Sequence, residues 1–239
     1  MSALIIKGFI EEVIDLARVD STNQYALNTG KAGLLVRARM QTSGRGRRGR
    51  AWFSPEGENL YMTLTLTPPE ERYPIIAGVA VRAAVSDLLH YQPVEIKWPN
   101  DIVISGRKVS GILCETKGSI TAIGIGVNVN QADWPVDLEH RAVSLKQVSQ
   151  CAFSIDAVTQ TICGYLHRYL KVFRSRGFGP IRDEFLRNGM LDHHEVHDDK
   201  GKKCTIIDLT MDGHLVVVAD GKKKTMIHET VSLGWDKEL

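Results

Sequence analysis

Leu34 to Met40 (LLVRARM) is rich in β-forming residues and partly alternates, and Asn59 to Thr67 (NLYMTLTLT) alternates similarly, the period of a strand with one face in a core. From Tyr73 to Tyr91 (YPIIAGVAVRAAVSDLLHY) the pattern becomes long, alanine-rich and apolar, with Pro74 near its first turn, which predicts a mostly buried helix. Four short runs follow, VEIKW, DIVISG, GILCETKG and SITAIGIGVNVN, broken around Gly106 and at Lys117-Gly118, and they predict a meander of strands. Ile155 to Arg174 and Pro180 to Arg187 have helical patterns. Past Gly189 the chain turns to short strands punctuated by Asp212-Gly213 and Asp220-Gly221. The prediction is an α+β fold: a mixed β-sheet backed by helices over residues 1–189, then a small β domain over residues 190–239, with no internal repeat.

Composition narrows the function classes. With 43% hydrophobic and 24% charged residues the chain is an ordinary globular one, and its net charge of +2 argues against a surface that coats nucleic acid. The start, MSALIIKGFI, lacks the layout of a signal peptide, and Arg82 and Asp87 interrupt the best apolar stretch, so neither export nor a membrane span is expected. Cys114, Cys151, Cys163 and Cys204 form no C-x-x-C pair, which leaves reduced thiols in a cytoplasmic protein as the plain reading.

Charge is concentrated locally. No Asp or Glu occurs from Ser21 to Pro55, while Lys31, Arg37, Arg39 and the stretch Gln41 to Trp52 (QTSGRGRRGRAW) all fall there. Gly44 to Gly49 satisfies G-x-G-x-x-G, but it runs toward another strand instead of opening a helix, so the dinucleotide reading lacks its context. Arginine mixed with glycine also resembles RNA-binding tails, which usually repeat and are disordered, whereas this stretch is single and lies between strands. The third reading is a loop whose backbone N–H groups and forked guanidinium donors close over a phosphate or carboxylate. Empty, four like charges repel, so such a loop is expected to be mobile. A solvated surface loop is the bland alternative.

Other pieces carry structural readings of their own. Asp20-Ser21-Thr22-Asn23 looks like a helix start capped by Ser21 or Thr22. Lys97-Trp98-Pro99-Asn100-Asp101 is a stiff turn flanked by a lysine and an aspartate suited to a phosphate and its Mg²⁺. Arg107 to Leu113 (RKVSGIL) reads as a hairpin, and Gly124 to Asn130 (GIGVNVN) as a strand that something can approach closely. Trp52 and Trp98 read as core. His193, His194 and His197 read as an exposed loop, and the lysines around Lys200 to Lys203 and Lys222 to Lys224 as solvated hairpin turns that could help dock an acidic partner.

Taken in order, DSTN, QTSGRGRRGRAW, KWPND, RKVSGIL and GIGVNVN resemble the biotin protein ligases over residues 20–130. The resemblance implies a catalytic domain of the class II aminoacyl-tRNA synthetase/biotin synthetase type with a C-terminal SH3-like barrel. It implies a two-step reaction: biotin and ATP give biotinyl-5′-AMP and pyrophosphate, then a lysine of a biotin carboxyl carrier protein displaces AMP. Mg²⁺ would accompany ATP. By position, Ser21, Thr22, Asn23 and Gln41 match biotin contacts, and Gly111, Ile112, Gly124 and Gly126 the pocket floor. Arg45, Gly46 and Arg47 match loop residues that embrace biotin and the adenylate, with Arg48 and Arg50 on phosphates. Lys108 matches the lysine at the reacting oxygens, Lys97 supports phosphates, Asn128 lies near the nucleotide, and Asp101 is the Mg²⁺ candidate.

Some relatives carry an N-terminal winged helix-turn-helix. About twenty residues precede DSTN here, so the expectation is a ligase without specific operator binding, acting as a monomer or homodimer. The usual glutamate and arginine of the family's C-terminal segment are Thr230 and Gly234, which puts that segment's part in ATP binding in doubt. The alternatives are a lipoate or octanoate ligase and a non-catalytic RNA- or phosphate-binding module.

Overall fold

The structure, a computed structural model, describes residues 4–90, 92–189, 196–197, 202–226 and 232–233. Its larger sheet has seven strands: β1 (Glu12–Leu16), β2 (Leu34–Ala38), β3 (Leu60–Leu66), β4 (Glu95–Lys97), β5 (Asp101–Ile104), β6 (Arg107–Lys117) and β7 (Ile120–Val127). They lie in the order β1-β2-β3-β7-β6-β5-β4, and the sheet is mixed because β1 runs parallel to β2 while every other pairing is antiparallel.

The two faces differ in chemistry because strand side chains alternate. On β3, Leu60, Met62, Leu64 and Leu66 enter the main core beneath helix α2 (Tyr73–Leu89), whose near-continuous apolar sequence fits burial on most sides. Thr63 faces α1 (Thr22–Thr29) instead, and its hydroxyl hydrogen-bonds to Thr22 and Asn23 on that helix. The short helix α3 (Leu145–Ser149) is fixed by a reciprocal capping box of Ser144 and Gln147. Helices α4 (Ile155–Arg176) and α5 (Gly179–Asn188) pack outside α2, and Ser154 caps α4.

A second, antiparallel sheet follows: β8 (Val196–His197), β9 (Lys203–Leu209), β10 (Leu215–Ala219), β11 (Lys222–Met226) and β12 (Ser232–Leu233), in the order β11-β10-β9-β8-β12. It matches the small SH3-like unit expected. It is not packed as a separate body, because Cys204, Leu209, Leu215, Val217 and Met226 join the same buried cluster as α2. Trp98 Nε1 donates to Gly213 O at 3.2 Å, and Arg182 donates to Leu209 O and pairs with Asp208.

Several expectations need correction. Strand β1 and helix α3 carry too short a pattern to be predicted. Ser21 is the N-cap of α1, but its own side chain makes no capping hydrogen bond; the first-turn N–H of Thr22 is taken instead by Gln41 Oε1. His197 lies in β8, not in a loop, and Lys222 to Lys224 run along β11, with Asp220-Gly221 making the turn. His193, His194, Lys200, Thr230 and Gly234 lie outside the described residues.

Candidate active site

The N-terminus of α1, the β2–β3 loop, the β4–β5 turn, strands β6 and β7 and the segment 128–142 enclose a cavity of about 570 Å³. All seventeen residues expected at the site line it: Ser21, Thr22, Asn23, Gln41, Arg45, Gly46, Arg47, Arg48, Arg50, Lys97, Asp101, Lys108, Gly111, Ile112, Gly124, Gly126 and Asn128. The expected loop-to-floor arrangement is therefore a real juxtaposition of segments far apart in sequence.

One end is polar, buried and uncharged. Ser21, Thr22 and Asn23 are each at most 5% exposed. The Thr22 backbone N–H and hydroxyl donate to Gln41 Oε1 at 2.9 and 3.1 Å, and Gln41 Nε2 donates to Ser54 Oγ at 3.1 Å. The Thr63 hydroxyl lies within reach of Thr22 Oγ1 and Asn23 Oδ1, at 2.8 and 2.7 Å. Asn23 spends both amide hydrogens, on Leu113 O at 3.0 Å and on Glu115 Oε2 at 2.8 Å.

The glycines of the floor make room for side chains of the chain itself. A Cβ on Gly124 would lie 2.8 Å from Asn23 Cγ, and one on Gly126 would lie 2.5 Å from Trp52 Cε2. One on Gly111 would meet Trp52 and Lys108 at 3.0 Å. Trp52 is thus a wall of the cavity rather than plain core, and its buried Nε1–H has no acceptor among the described residues. Trp98, by contrast, is buried in the main core while one side reaches the cavity.

The other end is cationic. Lys108 is held by its backbone: its N–H donates to Arg141 O at 2.7 Å, and its O accepts from Val143 N at 3.0 Å and from Asn128 Nδ2 at 3.1 Å. Asn128 gives its other amide hydrogen to Val143 O, so its amide nitrogen supports Lys108 and has no hydrogen left for a nucleotide. Lys108 Nζ sits 2.8 Å from Asp101 Oδ1 and 5.1 Å from the Trp52 ring centre. That contact is an ion pair by distance without hydrogen-bond alignment, so Asp101 Oδ1 keeps an unused lone pair in a buried place.

The arginine loop closes on itself and spans the cavity. Gly46 N–H donates to Arg50 O, Trp52 N–H donates to Gly44 O, and Arg48 takes a left-handed backbone conformation at φ 57°. Arg45 Nη2 reaches Glu115 at 3.0 and 3.1 Å, and Arg47 Nη1 approaches Asn100 Oδ1 at 3.4 Å. Burial, then Arg48 and Arg50, push the Arg47 guanidinium below its ordinary value, opposed by Asp101. A guanidinium stays charged at neutral pH even so, which makes Arg47 a desolvated cation crowded by other cations. An incoming anion relieves that crowding.

Among the described residues no three His, Cys, Asp or Glu side chains cluster to hold a metal. The sequence reading missed Glu115, the cavity wall from Trp134 to Ala142, and the backbone of Arg141 and Val143 that clamps Lys108. Two glycines spaced two apart on one strand face were the available signal for Trp52, but nothing in spacing names the partner of a glycine.

Residues 16–131 match the biotin/lipoate A/B protein ligase family. A biotin–[acetyl-CoA-carboxylase] ligase of Paracoccus denitrificans is 36% identical over 192 residues, covering 72% of this chain and 78% of that protein. The chain belongs to this ligase family. The bifunctional ligase/repressor BirA of Bacillus spizizenii is 37% identical over 174 residues, which cover 68% of this chain and 53% of that protein, so the match spans about half of that relative. Among solved structures, the biotin protein ligase of Aquifex aeolicus in complex with biotin and ATP superposes with a TM-score of 0.85 at 26% identity, covering 94% of this chain and 99% of that one. The mixed sheet with its appended small antiparallel sheet is thus the biotin protein ligase fold.

Proposed function

We propose that the chain joins biotin to ATP, forming biotinyl-5′-AMP and pyrophosphate, and then passes the biotinyl group to a lysine of a biotin carboxyl carrier protein. The observation that carries this reading is the polarity of one cavity, neutral and hydrogen-bonding at the Thr22–Asn23–Gln41 end and cationic at the Arg47–Lys108 end. Biotin has the matching ends, a cyclic urea with two N–H groups and a carbonyl, and a carboxylate.

In the first step a biotin carboxylate oxygen bonds to the α-phosphorus of ATP, and the bond to pyrophosphate breaks with its electron pair. Both reactants are anions, so the enzyme's work is to hold them together and neutralise them. Lys108 and Arg47 are the residues we assign to the reacting oxygens, with Arg45 and Gly46 over the acyl group and Arg48, Arg50 and Lys97 on phosphates. In the second step the acceptor amine attacks the acyl carbon and AMP departs. The mixed anhydride needs shelter from water between steps, which a loop spanning the cavity supplies.

Mg²⁺ would ride on the ATP phosphates and shield their charge. Asp101 fits as a single carboxylate ligand because its Oδ1 retains an unused lone pair, while the absence of an acidic cluster among the described residues argues against a metal held by protein alone.

Two rival readings fit less well. A lipoyl or octanoyl group has no hydrogen-bonding head to match the donors and acceptors grouped at the polar end. An RNA-binding loop would direct its arginines outward, whereas Arg45 and Arg47 line the cavity. We place the catalytic unit in residues 1–189 and the small β unit in 190–239, in a cytoplasmic monomer or homodimer. No helix among the described residues is long and apolar enough to cross a membrane.

The decisive experiment is pyrophosphate release from Mg·ATP with biotin, lipoate, octanoate or no acid. Release with biotin alone is the expected result. Release with lipoate or octanoate instead moves the chain to the other branch of its family, and none with any acid leaves a binding module.

A further inference from the structure

Glu115 lies on β6 beside the uncharged end of the cavity, and one carboxylate there serves two elements. Its Oε2 accepts from Asn23 Nδ2 at 2.8 Å, and both oxygens accept from Arg45 Nη2 at 3.0 and 3.1 Å. Asn23 begins the wall of the polar end, whereas Arg45 belongs to the arginine loop. The other side-chain links between them are uncharged on the α1 side: Arg45 Nη2 reaches Gln24 Oε1 at 3.4 Å, and Thr22 donates to Gln41 Oε1.

The consequences for each partner differ. An amide can present either its oxygen or its nitrogen to a pocket, and only its partners decide which. Leu113 O and Glu115 together take both hydrogens of Asn23 Nδ2, so its Oδ1 is turned toward Thr63 and Gly124, where it can accept an N–H. For Arg45 the carboxylate is a mooring. With Arg47 moored at Asn100, the loop is held at both ends across the cavity. Without Glu115, the hydrogen bond left to the Arg45 side chain among the described residues is the 3.4 Å contact to Gln24.

We propose that Glu115 is a positioning residue that couples recognition of the ligand's neutral head to closure of the arginine loop, by orienting the Asn23 amide and mooring Arg45 with one carboxylate. This rests on the reading of the cavity as a biotin and adenylate site. It follows that filling the neutral end steadies Asn23 and Glu115, and through Glu115 the loop that retains the intermediate. The carboxylate need not touch a reacting atom.

The two roles can be separated by chemistry. Glu115→Gln keeps an oxygen to accept from Asn23 but loses the charge that holds Arg45. Glu115→Ala loses both. The measurement is steady-state adenylation against biotin and against ATP, together with the amount of free biotinyl-AMP escaping per pyrophosphate formed. Glu115→Ala should raise the biotin KM about tenfold, the scale of one lost buried hydrogen bond, with the ATP KM within about twofold. Glu115→Gln should bring the biotin KM back to within about threefold of wild type while the escape of biotinyl-AMP stays several-fold raised, because a neutral acceptor is the weaker partner for a guanidinium.

An unchanged biotin KM in the alanine variant, or wild-type retention in the glutamine variant, overturns the coupling. Should the alanine variant not fold, the near-isosteric glutamine variant still decides the mooring half. Wild-type protein inactive with biotin would overturn the site reading itself, and the role of Glu115 with it, which distinguishes the two failures.

Discussion

At Gly124 an added Cβ would sit 2.8 Å from Asn23 Cγ and 3.0 Å from its Nδ2, and Asn23 has little freedom to yield because Leu113, Glu115 and Thr63 all hold its amide. Gly124→Ala should therefore push the amide off its partners. Overpacking of this kind costs about 1–3 kcal/mol of stability, and the biotin KM should rise at least about tenfold because the displaced group is the one we assign to the urea. Thermal unfolding and adenylation kinetics check the two halves separately, and an alanine variant with wild-type KM would show that Asn23 is not in contact with the ligand. The motifs announced that Gly124, Gly126 and Gly111 matter, but not what they accommodate. A glycine signals missing volume, and only folding brings Asn23 and Trp52 into that volume. Asn128 shows the converse, since its motif suggested a nucleotide contact and its amide hydrogens both turned out to serve the backbone that carries Lys108.

Elements with sustained periodicity were legible before any coordinates. Helix α2 and strands β3, β6 and β7 fall close to where the apolar pattern puts them, because burial on both sides or alternation repeated over many residues leaves a strong signal. Edge strand β1 and the five-residue α3 were not legible, since neither is long enough for a period to emerge. Helix α4 offers a test at this scale. His167 on α4 stacks on Phe9 with ring centres 5.1 Å apart, and desolvation, then Lys171 and Arg174, hold its ring below the ordinary 6.5. The folded chain therefore takes up this proton less readily than the unfolded chain, and stability falls as pH drops through about 6.5. Below the folded-state value both forms are charged and the loss levels off. The ring is largely solvent-screened, so the effect is on the order of a few tenths of a kcal/mol. Urea unfolding of wild type and His167→Gln between pH 7.5 and pH 5.5, values chosen about one unit either side of that ordinary pKa, should show the smaller pH dependence in the variant. An equal dependence would mean that His167 contributes none of it.

For the whole molecule, the two sheets look separable in sequence, where the pattern changes near Gly189, but the structure gives them one core. Gly213 lies against Arg72, Ile75 and Phe178, so the turn between β9 and β10 is seated on α2 and the start of α5. Arg72 in turn lies over Phe173 and Phe178, with its guanidinium carbon 4.9 and 5.6 Å from their ring centres. Trp98 adds a directional link, its Nε1–H to Gly213 O, from the same turn that carries Lys97 and Asp101 into the cavity. Small β units that merely follow a catalytic unit would unfold on their own, whereas a shared core makes unfolding cooperative. Trp98→Phe removes that donor and leaves a buried carbonyl unpaired, a change worth about 1–3 kcal/mol. In a chain of this size each kcal/mol moves Tm by about 2–4 °C, and calorimetry should show one transition shifting as a unit. Two transitions, with only the minor one moved, would mean that the sheets melt independently and that the cavity does not depend on the C-terminal unit for its shape.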